Sequence, residues 1–245
     1  MFSGKFRICD VFGIPVYLDM SLIVLLVLFV MDFGSFTFGL ACALVLAVSI
    51  TLHELGHALT ARVFGYQTRD ITLSLLGGCA SLIGMPRKAS QEFLTALAGP
   101  LVSFALAGSV FLLDVFEVRV SNHWLRGLLQ YAFWMNVMLG AFNLLPGFPM
   151  DGGRIFRSVM RIFLSRAKAT LVAMWVGRVF AVLLGIRGIH SIVTGGSWGF
   201  ISILIAWMIW REGWREYQMA LAEESFSRWT QDDFDARVSP PPYDR

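Results

Sequence analysis

The sequence predicts an all-α polytopic membrane protein, with about six transmembrane helices and a short membrane-associated β-hairpin after the second. Two properties of the chain point to this class. Its 245 residues are 56% hydrophobic with a mean hydropathy of +0.66, and only 15% are charged, whereas about a quarter is usual in soluble domains. The apolar residues are also gathered into long runs. Lipid is therefore the expected solvent for most of the chain.

The apolar runs define the predicted membrane spans. A hydrocarbon core about 30 Å thick requires roughly 20 residues of helix. The first run is short, and the fifth contains Arg178 and Arg187, which must reach a membrane surface or face protein. The predicted spans are 17–31, 36–64, 93–116, 124–145, 174–192 and 198–214.

The positions of the basic residues agree with these spans. With the N-terminus placed in the cytosol, only Arg119, Arg126 and Arg187 of the 20 lysines and arginines fall on the outer side. An excess of basic residues on the inside is the usual pattern of membrane proteins. We therefore expect a multi-pass protein of the cell membrane (inner or plasma membrane) with cytosolic N- and C-termini.

Residues 1–215 are predicted to form one membrane domain, and residues 216–245 a cytosolic tail that is amphipathic and then disordered. The odd number and wide spacing of Cys9, Cys42 and Cys79 give no disulfide framework. No nucleic-acid partner is expected.

The segment after the second span predicts a short β-hairpin. Apolar and polar residues alternate over 71–75, and Gly77-Gly78 is a turn signal. We interpret the segment as a hairpin that dips toward the membrane, although its composition also fits an ordinary cytosolic loop.

The second span contains His53-Glu54-Leu55-Gly56-His57, the pattern H-E-x-x-H. Two histidines four residues apart lie on one helix face and can bind one metal ion, with the glutamate close by. Two histidines in ordinary packing contacts are the alternative. In lipid, however, each ionisable side chain costs about 2.5–3.5 kcal/mol, and bound zinc would offset that cost.

A catalytic zinc ion usually has three protein ligands and one open position. His123 and His190 are predicted near the outer surface, so they do not suit a site with His57. Asp151 follows the fourth span on the same side as His57, between two prolines and two glycines. Asp151 is therefore the candidate third ligand, and an N-cap of the following helix is its alternative role.

These residues, together with Asn143-x-x-Pro146 and Ala98-Gly99-Pro100, resemble the site-2 protease family of intramembrane zinc metalloproteases. The resemblance covers residues 10–215. The six-helix plan without an inserted PDZ domain is most similar to the sporulation-type branch of that family.

The resemblance implies that residues 1–215 are an intramembrane metalloprotease domain with one Zn²⁺ per chain. His53, His57 and Asp151 would hold the metal, and Glu54 would be the general base for zinc-activated water. Asn143 would bind substrate backbone, unless its amide satisfies the frayed end of the fourth span. The implied activity is regulated intramembrane proteolysis, which cuts a single-span membrane protein within the bilayer near its cytosolic side.

The hairpin offers a hypothesis for substrate binding. Thr72, Ser74, Gly77 and Gly78 are the candidate contacts, because an exposed strand edge over 72–75 could pair with an unwound substrate. Glycine would allow close approach of the two backbones.

Two other functions fit the same residues. A membrane metal-ion transporter or channel could use the His/Asp cluster as an ion path, but it has no evident need for Glu54. A non-catalytic membrane adaptor is a third interpretation, against which the intact motif argues. A homo-oligomer and a regulatory membrane partner are both compatible with the sequence.

Overall fold

The computed structural model describes residues 4–32, 35–74, 77–83, 88–116, 118, 120–196 and 199–238. Helices dominate it, as predicted. The elements in chain order are β1 (Lys5–Val11), β2 (Ile14–Asp19), α1 (Met20–Asp32), α2 (Phe36–Val63), β3 (Gln67–Ser74), β4 (Gly77–Ile83), α3 (Ala89–Val115), α4 (His123–Asn143), α5 (Asp151–Met160), α6 (Arg166–Val193) and α7 (Gly199–Val238).

Three helices are long and apolar enough to cross a membrane, judged by length and composition within the described residues: α2, α3 and α6. The other predicted spans coincide with α1, α4 and α7. Helix α1 has only 13 residues, and α4 contains several polar side chains. Helix α7 carries four charged residues among its first eighteen. The count of six spans is therefore not confirmed.

The predicted hairpin is present as β3 and β4, but it belongs to a larger sheet. Four strands are ordered β1-β2-β3-β4. Strands β1 and β2 are joined by Phe12 and Gly13, both at positive φ, which is the geometry of a tight two-residue hairpin turn. The expected first span, 17–31, is corrected accordingly, since the chain stays extended to Asp19 before α1 begins.

The position of β3 corrects the hypothesis of an exposed edge over 72–75 at Thr72 and Leu73. Thr72 pairs with Tyr17 of β2 on one side and with Cys79 of β4 on the other. The β2–β3 pairing is parallel and the β3–β4 pairing is antiparallel. Strand β3 is therefore interior over Ile71–Leu73, Leu75 lies outside the described residues, and the edge strands of the sheet are β1 and β4.

The chain divides into two compact units. The first comprises Met1–Leu145 with Met150–Ile155, and the second comprises Pro146–Pro149 with Phe156–Arg245. In the first unit the sheet packs on α1 and α2 around a core of buried apolar residues: Ile14, Val16, Leu22, Leu46, Ile50, Leu55, Ala58, Ile71 and Leu73.

The second unit is built mainly from α6 and α7. These helices approach closely near their connection, where a Cβ at Gly188 would lie 2.9 Å from the main-chain oxygen of Gly199. Helix α7 is continuous for 40 residues, so it runs through the predicted boundary at residue 215, and that division of the chain stays a prediction. The proline-rich end, 239–245, lies outside the described residues.

Candidate metal centre

Helix α2 carries the first part of the site on one buried face. His53, Glu54 and His57 are 2%, 7% and 6% exposed. The two imidazole rings are one helical turn apart, with centroids separated by 4.9 Å. This is the arrangement that the spacing of the motif predicts.

A stripe of small and polar residues on α3 supports both histidines. His57 Nδ1 donates to the main-chain oxygen of Thr95 over 2.7 Å, and His53 Nδ1 shares a hydrogen bond of 2.9 Å with Ser103 Oγ. Residues 95, 99 and 103 are four apart and so lie on one face of the helix. Both rings are thereby oriented through Nδ1, which leaves each Nε2 available to bind a metal ion.

Position 99 requires glycine because the imidazole rings of His53 and His57 lie too close to α3 for a side chain to fit between them. A Cβ at Gly99 would lie 2.2 Å from His57 Nε2 and 2.7 Å from His53 Nε2. The absence of a side chain therefore leaves the two Nε2 atoms accessible to a ligand. Gly56 has a similar effect on helix packing, since its Cβ would lie 2.9 Å from the main-chain oxygen of Ala98.

Asp151 is brought to the site by the turn after α4. A Cβ at Gly152 would lie 2.2 Å from the main-chain oxygen of Leu145 and 2.3 Å from that of Leu144. Only glycine allows this close return of the chain over the end of α4. Asp151 is also the first residue of α5, one position inside the helix from the N-cap position that was its alternative role.

The three predicted ligands converge. The Nε2 atoms of His53 and His57 each lie 3.1 Å from the same oxygen, Oδ2 of Asp151. The aspartate is 8% exposed. Among the described residues, these three form the group of His, Cys, Asp and Glu side chains whose ligand atoms could hold one ion.

The chemistry of the donors fits zinc. A main-chain oxygen can only accept, so His57 carries a proton on Nδ1, and in the neutral form of the ring Nε2 would present a lone pair to the carboxylate. Two acceptors 3.1 Å apart require a proton or a cation between them. Ligands about 2.0–2.2 Å from a tetrahedral zinc ion are separated by roughly 3.3–3.5 Å, which is close to the observed spacing.

Glu54 lies against the hairpin. A Cβ at Gly78 of β4 would lie 2.0 Å from Glu54 Cγ and 2.6 Å from its Oε1. The backbone of β4 therefore touches the side chain next to both histidines. Of the hairpin residues predicted to contact substrate, Gly78 is the one for which the structure gives a contact with the motif.

The remaining predicted residues are placed as follows. Thr72 is 7% exposed and its hydroxyl accepts from Lys5 Nζ over 3.1 Å. Ser74 and Gly77 are paired with each other at the β3–β4 turn. Asn143 ends α4, and its Nδ2 donates to the main-chain oxygen of Leu139 over 2.9 Å. That bond corresponds to the alternative role given to the Asn143 amide, and a role in binding substrate stays a prediction.

Comparison with known proteins decides the family. The sequence model of peptidase family M50 matches residues 41–122 and 113–184, which include both histidines and Asp151. The chain belongs to peptidase family M50. The predicted resemblance to the site-2 proteases is confirmed.

Relatives within the M50 family align over much of the chain. A protein of Synechocystis sp. is 33% identical over 94% of this chain and 64% of its own length. A zinc metalloprotease of Methanocaldococcus jannaschii is 34% identical over 76% of this chain and 54% of its own length. Stage IV sporulation protein FB of Bacillus subtilis is 29% identical over 62% of the chain. The chain thus spans about half to two thirds of these curated relatives.

A solved M50 structure has the same fold. The site-2 protease from Methanocaldococcus jannaschii superposes with a TM-score of 0.67 at 31% identity, covering 87% of this chain and 95% of that one. A peptidase family and a peptidase fold do not favour the transporter interpretation.

Two supporting groups of the M50 site were not predicted. Ser103 and the main-chain oxygen of Thr95 hold the histidines, yet neither carries a sequence motif. The available signal was the spacing Thr95, Gly99, Ser103, which places small or polar residues on one stripe of an apolar helix. Asn136 of α4, which donates to Ser49 Oγ of α2 over 3.0 Å, was also missed.

Proposed function

We propose that this chain is a membrane-embedded zinc endopeptidase that cleaves single-span membrane proteins near the cytosolic side. The observation that carries the proposal is the convergence of His53 and His57 on one oxygen of Asp151, each over 3.1 Å. The two histidines lie on α2, a helix able to cross a membrane, with Glu54 between them.

The residues of the site divide the chemistry among them. His53, His57 and Asp151 would hold one zinc ion, which supplies Lewis-acid polarisation of water and of the scissile carbonyl. Glu54 accepts the proton from the attacking water and returns it to the leaving amine. Thr95 and Ser103 keep the imidazole Nδ1 atoms engaged, so that each ring stays oriented.

The outer edge of β4 is the docking edge for substrate in this proposal, in place of β3. A substrate helix has its carbonyls hydrogen-bonded and must be extended before hydrolysis. Strand addition to β4 would present an extended peptide beside Gly78, whose backbone touches Glu54. Thr72 and Ser74 then act indirectly, by holding β3 beside β4. Asn143 binds substrate backbone near the scissile bond.

The site lies toward the cytosolic half of the bilayer in this proposal. His53 is about 25 Å along the helix from the first residue of α2, at 1.5 Å per residue. With six spans and cytosolic termini, the distribution of basic residues follows the positive-inside pattern. Cleavage near the cytosolic end of the substrate span would release a fragment into the cytosol.

Replacement of the proposed base tests the activity. Cells producing the wild type or Glu54→Gln are compared by mass spectrometry of newly formed peptide termini in membrane proteins. The wild type should generate termini near the cytosolic ends of single-span proteins, and Glu54→Gln should generate none while retaining one zinc per purified chain. Glu223→Gln, on the exposed surface of α7, is the matched control and should behave as the wild type.

The outcomes separate the candidate functions. If cells with the wild type and cells with Glu54→Gln produced the same new peptide termini, the proposal of a protease with Glu54 as its general base would be refuted. Metal flux into proteoliposomes that persists in Glu54→Gln, without any peptide cleavage, would instead favour the transporter.

A proline scan tests the β4 edge. Proline at successive positions 79–82 removes one N–H at a time, and we expect cleavage to fall wherever that N–H faces away from β3, with zinc content unchanged. The control is the same scan over residues 6–10 of β1, the opposite edge. Equal loss from both edges would argue against strand addition at β4.

A further inference from the structure

Arg178 of α6 is surrounded by tryptophans. Its guanidinium carbon lies 4.8 Å from the ring centroid of Trp175, 4.5 Å from that of Trp210 and 5.5 Å from that of Trp214. The first ring is on α6 and the other two are on α7. Contacts of this length are attractive cation–π interactions, so the guanidinium is held in place by three indoles.

No carboxylate accompanies this cation among the described residues. Its Nε is buried and has no hydrogen-bond partner there. The other arginines that contact α7 within the same unit differ in this respect. Arg157 pairs with Glu216 over 3.1 Å, and Arg166 pairs with Glu223 over 3.2 Å. Arginine stays protonated in proteins, so Arg178 presents an uncompensated positive charge on a helix able to cross a membrane.

The surroundings of Arg178 have the composition that is typical of a membrane interface. Residues 199–210 of α7 are uncharged, and the charged run begins at Arg211. Trp175, Trp210 and Trp214 are 55%, 44% and 47% exposed, and exposed tryptophans are typical of membrane interfaces. A phosphate group in the headgroup layer would therefore lie at the level of this cation.

An apolar groove begins beside Arg178, at Trp210. It has a volume of about 240 Å³ and is lined by Ala181, Val182, Ile203, Ala206, Trp207 and Trp210. Two of the lining tryptophans make cation–π contacts with arginines. Arg178 lies over Trp210, and the guanidinium carbon of Arg211 lies 5.0 Å from the ring centroid of Trp207. The groove thus combines an apolar floor with two guanidinium groups.

We propose that this groove binds an anionic phospholipid, with the headgroup phosphate at Arg178 and Arg211 and an acyl chain along α6 and α7. The charge balance favours an anionic over a zwitterionic lipid. Glu212 lies 3.5 Å from Arg211 and 3.6 Å from Arg215, so a single carboxylate serves both of these arginines while Arg178 has none. Basic pockets between membrane helices recognise anionic headgroups in this way. The inference does not depend on protease activity.

Native mass spectrometry of the purified full-length protein tests the lipid site. The probes are dioleoyl-phosphatidylglycerol and dioleoyl-phosphatidylcholine, each titrated into the detergent-solubilised protein. The wild type should bind the glycerol lipid about fivefold more tightly, the ratio expected when one basic contact to an anionic headgroup is gained. Arg178→Met should remove this preference, because it keeps an apolar contact with the tryptophans and loses the charge.

Matched variants make the result specific. Arg187→Met removes a charge from an exposed position elsewhere on α6 and should leave the preference unchanged. Arg178→Lys keeps the charge and should retain at least half of the preference. Millimolar inorganic phosphate should not displace the lipid, because phosphate lacks an acyl chain for the groove.

Three results would overturn the proposal: equal affinity of the wild type for the two lipids, equal losses in Arg178→Met and Arg187→Met, or complete displacement by free phosphate. The comparison of lipids on the wild type needs no substitution, so it decides the question even if Arg178→Met does not fold.

Discussion

The imidazole of His57 donates its Nδ1 proton to the main-chain oxygen of Thr95 over 2.7 Å. A backbone acceptor cannot be removed by changing the side chain, so this ring is oriented by the path of α3 itself. His53 depends instead on a side chain, Ser103 Oγ, at 2.9 Å. A side-chain substitution on α3 can therefore remove the hydrogen-bond partner of His53 but not that of His57.

Gly99→Ala should strongly weaken metal binding. The new methyl group would lie 2.2 Å from His57 Nε2 and 2.7 Å from His53 Nε2, so one ring or the helix must shift. We expect zinc affinity, measured by competition with a chelator, to fall by about 100-fold or more. Gly108→Ala is the control on the same helix, because a Cβ there meets nothing within 4 Å. Full zinc occupancy in Gly99→Ala would contradict the proposed ligand geometry.

Ser103→Ala should weaken zinc binding without abolishing it. The substitution removes the hydroxyl that faces His53 Nδ1, and loss of such a partner typically costs about 10–100-fold in metal affinity. The same chelator competition measures the effect. Ser109→Ala removes an exposed hydroxyl that bonds only to the main-chain oxygen of Leu106 and should have no effect. Equal affinities of the two variants would show that His53 needs no support from α3.

Gly78→Ala should separate catalysis from metal binding. The added Cβ would lie 2.0 Å from Glu54 Cγ, which displaces the proposed base but none of the three ligands. A displacement of about 1 Å can cost on the order of 100-fold in rate, so kcat should fall while zinc stays at one per chain. Gly185→Ala, whose Cβ would make only an ordinary contact of 3.9 Å with Ala206, is the control. Loss of zinc together with rate would mean that β4 supports the ligands instead of Glu54.

Arg157→Met should destabilise the second unit. The Arg157 side chain is 4% exposed, pairs with Glu216 over 3.1 Å and lies 4.8 Å from the ring centroid of Phe148. Removing one member of a buried ion pair costs about 3–5 kcal/mol of unfolding free energy. Arg215→Met, at a side chain 68% exposed, should cost less than about 1 kcal/mol. Reversible unfolding in sodium dodecyl sulphate measures both, and similar values would show that the buried pair contributes little.

Much of the site could be predicted because its first elements are local. His53, Glu54 and His57 depend only on helical spacing, and Asp151 could be inferred because the predicted fourth span ends on the same predicted side as His57. Ser103 could not be predicted in the same way. A serine on an apolar helix acquires its role only when that helix packs against α2, and packing between distant segments leaves no local signal in one sequence.

The helices were predicted more accurately than the sheet for a related reason. Each long apolar run gave a helix whose position depends on its own residues. The last three residues of strand β2 stand directly before the apolar run of α1, so the predicted span over 17–31 wrongly includes them. The partner of β3 comes from residues 14–19, about fifty positions upstream, and nonlocal strand pairing of this kind cannot be inferred from alternation of polarity alone.

The parallel pairing of β2 with β3 has a practical consequence for anyone who shortens the protein. Deleting the chain through Asp19 would remove both N-terminal strands and leave the backbone donors and acceptors of Ile71–Leu73 without their neighbours in β2. A strand that has lost its neighbour on one side exposes unpaired backbone groups, which can pair with a strand of another molecule. Such a truncated protein should aggregate during purification, although every residue of the metal cluster would still be present.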